Sequence, residues 1–135
     1  MAMVQWSKGC SVGISDIDKE HQQFFMIIAQ LHDAMRQGKG HAIIRDILTE
    51  LSEYTNHHFS TEENYFQKYK YPKANEHRKA HAEVKRRLVD FEERLLRGDA
   101  AVTIETLDFL IEYLREHIKK EDKEYADYFK KQRLL

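Results

Sequence analysis

The chain has 135 residues, enough for one domain with a real core and too few for two ordinary ones. Its 22 basic and 23 acidic residues leave a net charge of −1, which argues against a basic nucleic-acid binder and a polybasic membrane surface, and its 41% hydrophobic content argues against disorder. A single cysteine, Cys10, excludes an internal disulfide and a multi-cysteine zinc site; eight histidines are the unusual feature.

One proline and five glycines favour long helices over many short strands. Residues 1–17 read as an N-terminal arm with Trp6, Gly9 and Gly13 and no helical period; Cys10 within it has no assigned role. Asp16 and Asp18 then offer N-cap chemistry for a first helix running to about Gln37, stopped by Gly38 and Gly40. A second helix runs from about Ala42 to Lys70 and closes at Tyr71-Pro72, and a third spans about Ala74 to Arg97 before Gly98-Asp99. The fourth starts near Val102 or Thr103, runs towards Ile118 and continues as a helical tail to about Lys130. Four helices on short loops predict an all-α, antiparallel up-down four-helix bundle over residues 18–130, with an N-terminal arm and a short C-terminal helical extension, all in a single domain over residues 1–135. The Met1 start suggests a free-standing protein, and a monomer is expected. The first 13 residues lack signal-peptide character, and the longest apolar run, Phe24 to Ala29, falls far short of the roughly 20 residues that span a bilayer. With one unpaired cysteine, the expected compartment is the reducing cytoplasm.

Each helix carries an apolar stripe at steps of three and four, and each stripe includes histidine. The first reads Ile17, His21, Phe24, Ile28, Leu31, Met35; the second includes Ile47, Leu51, Tyr54, His58, Glu62 and Tyr65. The third includes His77, His81, Val84, Leu88 and Phe91, and the fourth Leu107, Leu110, Leu114 and His117. A lone histidine on an apolar face is ordinarily a hydrogen-bonded core residue. Histidine on all four stripes, with Glu62 among them and no lysine or arginine in line to pair with it, makes a bound metal the economical explanation. His58 and Glu62 are four apart, as are His77 and His81, so each pair projects from one helical face about 6 Å apart along the axis. His117 and Asp122 are five apart, about 140° round an ideal helix, so Asp122 reaches the same centre only if the helix ends, kinks or loosens between Ile118 and Asp122.

The same test sets other side chains aside. His57 shares a polar face with Asp46, Glu50 and Glu53 and reads as exposed; His41 caps a helix or is solvated; His32 is a boundary residue. Glu63 lies half a turn off the seam, in reach to support a ligand from outside. Five histidines and two carboxylates exceed one tetrahedral zinc site and imply two metals, while imidazole with carboxylate suits iron, zinc or copper. No His-Glu-x-x-His run and no paired Glu-x-x-His motif is present.

With those motifs quoted in order — Asp18-Lys19-Glu20-His21, His58-Phe59-Ser60-Thr61-Glu62-Glu63, His77-Arg78-Lys79-Ala80-His81 and His117-Ile118-Lys119-Lys120-Glu121-Asp122 — the chain resembles hemerythrin in its bacterial form over nearly its whole length. Trp6 and the Tyr71-Pro72 turn fit as well. The resemblance implies two iron ions joined by an oxo or hydroxo bridge and O₂ as ligand. His77, His81 and His117 would hold one iron, His21 and His58 the other, and Glu62 and Asp122 would bridge them, leaving one position free on the iron with two histidines. Leu114, Phe24, Phe59 and Trp6 are implied as walls of the O₂ pocket, and Glu20 and Tyr125 as partners of the ligands. The implied function is reversible O₂ binding for storage, transport or delivery, by a binding protein and not an enzyme. Alternatives are O₂ or redox sensing, and peroxide or NO scavenging with iron detoxification.

Overall fold

A computed structural model describes residues 11–133, and among these the secondary structure is helical throughout. Helix α1 spans Ser15–Arg36, α2 His41–Lys68, α3 Ala74–Leu96 and α4 Ile104–His117. A π-helical segment over Ile118–Asp122 leads directly into α5, Lys123–Lys131. The neighbours α1 and α2, α2 and α3, α3 and α4, and α4 and α1 pack together, closing a four-helix ring. Short connections of this kind force consecutive helices to run antiparallel.

The stops are where the breakers predict them. Gly38 and Gly98 take left-handed backbone (φ +63° and +76°), which ends α1 and α3 at little steric cost. At the start of α4, Thr103 and Thr106 form a reciprocal capping box that satisfies the first free N–H groups. The start of α1 is a correction. The helix begins at Ser15, so Asp16 and Asp18 lie inside its first turn. Asp18 instead accepts hydrogen bonds from Ser11 Oγ (2.6 Å) and Val12 N (2.8 Å), fastening the preceding segment to the helix. Trp6 and Cys10 lie outside the described residues.

The core has two apolar ends and a polar middle. Leu31, Leu51, Leu88, Leu107 and Ile111 fill one end, all nearly inaccessible. At the other, Phe66, Tyr71, Tyr125 and Phe129 form an aromatic cluster with ring centroids 5.1–6.3 Å apart. Burying Tyr125 and Phe129 is what docks α5 onto the bundle. Between these ends lies a layer of histidines and carboxylates that neither end would tolerate.

Candidate metal centre

All four helices of the ring contribute to this layer: His21 from α1, His58 and Glu62 from α2, His77 and His81 from α3 and His117 from the last residue of α4, with Asp122 from the end of the π-helical segment. All seven are at most 7% exposed. The π-helical segment explains how a five-residue spacing works. Its wider turn inserts one residue into the helical repeat, so that Asp122 faces the same interior as His117. The Asp122 carboxylate lies with Oδ1 3.2 Å from His117 Nε2.

The seven side chains fall into two groups that share one residue. Ligand atoms of His77, His81, His117 and Asp122 all lie within 4.8 Å of one another, as do those of His21, His58, Glu62 and Asp122. Asp122 straddles the two: Oδ1 lies 2.9 Å from His77 Nε2, whereas Oδ2 lies 3.2 Å from His21 Nε2. Glu62 straddles them as well, its Oε1 being 3.2 Å from both His58 Nε2 and His81 Nε2.

These contacts leave buried polar atoms unsatisfied. Nε2 of His21, His77 and His117 and both oxygens of Asp122 have no aligned hydrogen bond. Unpaired buried groups cost roughly 1–3 kcal/mol each, so five of them turned towards one another need a shared partner. A cation accepting their lone pairs satisfies all five, and the donor set of imidazole and carboxylate suits such an ion. The titration of the metal-free layer tells the same story. Burial pulls the His58 imidazole down, but Glu62 and Glu20 override it and raise its pKa to about 10. Burial likewise opposes a charge on His117, and Asp122 overrides it, giving about 9. Burial pushes Glu62 and Asp122 up, yet the histidines around them hold both below the ordinary carboxylate range. Two buried carboxylates demand positive charge, and without a metal only protons are at hand to supply it.

A surrounding shell holds the imidazoles in place. Glu20 Oε1 lies 2.8 Å from His58 Nδ1 and Glu63 Oε2 2.9 Å from His81 Nδ1, so each ring donates outward and presents Nε2 inward. Thr61 Oγ1 donates to the other oxygen of Glu20 at 3.1 Å. The Tyr125 hydroxyl donates to Glu62 Oε2 at 2.5 Å, and its own pKa is raised by burial and that carboxylate. Phe59 stacks on His81 at 3.9 Å, and Phe66 meets His77 edge-on at 4.8 Å. Glu63, off the seam but expected to support a ligand from outside, stands behind His81, whereas Thr61 and Phe66 were given no such role from the sequence. Thr61 sits three residues after His58 on the same helix, a spacing that could have flagged it.

On the side of His21 and His58, an apolar cavity of about 10 Å³ opens against the layer. Phe24, Phe25, Phe59, Leu114 and Ile118 wall it, and His117 and Asp122 border it as well. It has room for about one water-sized molecule. The remaining histidines divide. His57 is 64% exposed along its side chain, and His41 is exposed at the first position of α2, with Nε2 2.8 Å from Arg45. His32 is a correction. It is buried, not a boundary residue, with Nε2 3.4 Å from Asp108 Oδ1 across the α1–α4 contact.

Fold and donors together define a helical bundle that binds metal in its interior. A sequence model of the hemerythrin HHE cation-binding domain matches residues 12–129, and the chain belongs to that family. It is 35% identical over 127 residues to a bacteriohemerythrin of Pseudomonas aeruginosa, covering 94% of this chain and 82% of that one. It is 32% identical over 129 residues to a bacteriohemerythrin of Clostridium acetobutylicum, covering 93% of this chain and all of the other. A crystal structure of wild-type hemerythrin superposes with a TM-score of 0.82 at 28% identity, covering 93% of this chain and 97% of that chain. No helix among the described residues is long and apolar enough to cross a membrane.

Proposed function

We propose that this chain binds O₂ reversibly at a pair of iron ions, to store, carry or deliver it. The observation that carries this reading is the asymmetry of the buried layer: three imidazoles in one group around Asp122, two in the other, and a small apolar cavity bordered by both imidazoles of the second group and by His117 alone of the first. His77, His81 and His117 would hold one iron and His21 and His58 the other, with Glu62 and Asp122 shared. When bound, such a pair supplies electrons that can be lent to O₂ and taken back.

The protein's own residues do the rest. Glu20 and Glu63 orient His58 and His81 by accepting from Nδ1, and Tyr125 keeps one oxygen of Glu62 occupied so that the other faces inward. Leu114, Phe24, Phe25, Phe59 and Ile118 keep the cavity apolar and small, which disfavours water and anions relative to a neutral diatomic gas. The test is cycling. The iron-loaded protein is reduced without oxygen, exposed to O₂ and then purged, while its visible absorption is followed. Repeated appearance and loss of the oxygenated spectrum is expected. Irreversible oxidation at the first exposure, with consumption of peroxide, would place the chain among scavengers instead.

A further inference from the structure

Three of the five imidazoles have a carboxylate outside the ring, and one of the three pairs is unlike the other two. Glu20 and Glu63 lie 2.8 and 2.9 Å from Nδ1 of His58 and His81. Glu121 approaches His117 Nδ1 from the corresponding side, but its Oε2 is 3.7 Å away, too far for a hydrogen bond. That oxygen is nevertheless inaccessible to solvent and has no hydrogen-bond partner, although the side chain as a whole is only partly covered. A buried acceptor left unpaired is costly, and the donor this one faces is His117 Nδ1.

The π-helical turn over Ile118–Asp122 is what places it. In an α-helix only positions i+3 and i+4 stand over residue i; the wider turn brings i+5 there as well. Glu121 and Asp122, at i+4 and i+5, therefore flank one ring: Asp122 Oδ1 lies 3.2 Å from Nε2, and Glu121 Oε2 lies on the Nδ1 side. Glu121 also borders an open groove of about 300 Å³, shared with Tyr71, Lys73, Glu76 and Lys120. Without this carboxylate, Nδ1 would be left to water from the groove, and a ring anchored at one nitrogen is free to turn. We propose that Glu121 is the positioning residue of His117. By accepting from Nδ1–H it fixes the tautomer that presents Nε2 inward, holds the ring against rotation and strengthens it as a donor to an ion shared with His77 and His81. The inference rests on the metal centre proposed above and not on O₂. It gives the π-helical turn a second task besides bringing Asp122 inward.

Chelator competition on the intact, cobalt(II)-loaded protein tests it. Glu121→Ala should raise the dissociation constant of one of the two ions by about 10–100-fold and leave the other unchanged. Glu121→Gln keeps the size of the side chain but accepts less strongly than a carboxylate, so its effect should fall at the lower end of that range. Glu124→Ala is the control: this exposed side chain borders the same groove and pairs with Lys73 at 3.0 Å, and its loss should leave both ions bound as in wild type. The readout that lost packing would not move is the His117 Nδ1–H proton, followed by NMR in zinc-loaded protein with ¹⁵N-labelled histidine. Its exchange with water should be slow in wild type and faster in Glu121→Gln, with circular dichroism unchanged. Wild-type affinities in both Glu121 variants, an Nδ1–H proton indifferent to Glu121→Gln, or an equal loss of affinity in Glu124→Ala would overturn the proposal. A wild type that takes up neither ion would overturn the metal centre itself, a result distinct from all of these.

Discussion

The two halves of the histidine layer use the same donors and differ in what stands behind them. Around His77 and His81 aromatic rings pack closely: Phe59 stacks on His81, Phe66 abuts His77, and the rings of His77, His81 and His117 lie with centroids 4.5–5.6 Å apart. The other half has two imidazoles, His21 and His58, which border a small cavity walled by Phe24, Phe25, Phe59, Leu114 and Ile118 and reached also by His117. On the proposed reading, one half would saturate an ion and the other would leave a side of it facing a dry space. A bundle can make that distinction with a few side chains, because each apolar residue on a seam replaces a donor at almost no cost to packing.

The strongest way to break the comparison is to remove the residue both halves share. Asp122→Ala should abolish binding of both ions, read by elemental analysis, since each group loses a carboxylate it needs. Leu114→Ala attacks one half alone. Truncating this 4%-exposed side chain should cost about 2–4 kcal/mol in denaturant unfolding of the metal-free protein, and should speed autoxidation of the oxygenated protein by letting water into the cavity. Unchanged autoxidation would remove Leu114 from the pocket. Smaller effects are expected outside the layer. Glu20→Gln, behind His58, and Glu63→Gln, behind His81, should each weaken metal affinity by about 10–100-fold in chelator competition, while leaving the seven inner donors intact.

Acidity sharpens the comparison from another direction. In the metal-free protein, His58 and His117 hold protons up to about pH 10 and 9. Their stabilising contribution is therefore complete below the ordinary histidine value of 6.5 and is lost as pH rises through 9 to 10, whereas that of Glu62 and Asp122 is complete above the ordinary carboxylate range and is lost as pH falls through their depressed pKa values. Metal binding must displace those protons, so affinity should rise with pH. Melting temperatures of metal-free protein should fall between pH 6.5 and 9, and the gain on adding metal should grow over the same interval. Least of all, His57→Ala should keep the metal content of wild type and shift stability by no more than about 0.5 kcal/mol, because its ring is exposed and meets Glu20 at 3.6 Å and the Tyr54 ring at 5.7 Å. Loss of metal in that variant would show that the neighbouring histidine had been misassigned.

Much of this was legible beforehand because it is local. Helix ends follow from Gly38, Gly98 and Tyr71-Pro72, and the interior faces follow from steps of three and four. The loosening after His117 followed from a five-residue spacing that an ideal helix cannot serve, and it takes the form of a π-helical turn. What escaped was contingent on neighbours. Asp18 has the chemistry of a cap, yet in the folded chain it holds Ser11 and Val12. His32 sits at a stripe edge, but only the approach of α4 decides that Asp108 covers it.

Periodicity within the chain could thus settle that this protein is a bundle and that its donors point inward, since both depend on residues a few positions apart. Which oxygen of Asp122 meets which imidazole, that Glu63 stands behind His81, and that the cavity opens against His21 and His58 were decided by how the helices pack. Those distances join residues far apart along the chain, and close packing, not helical geometry, sets them.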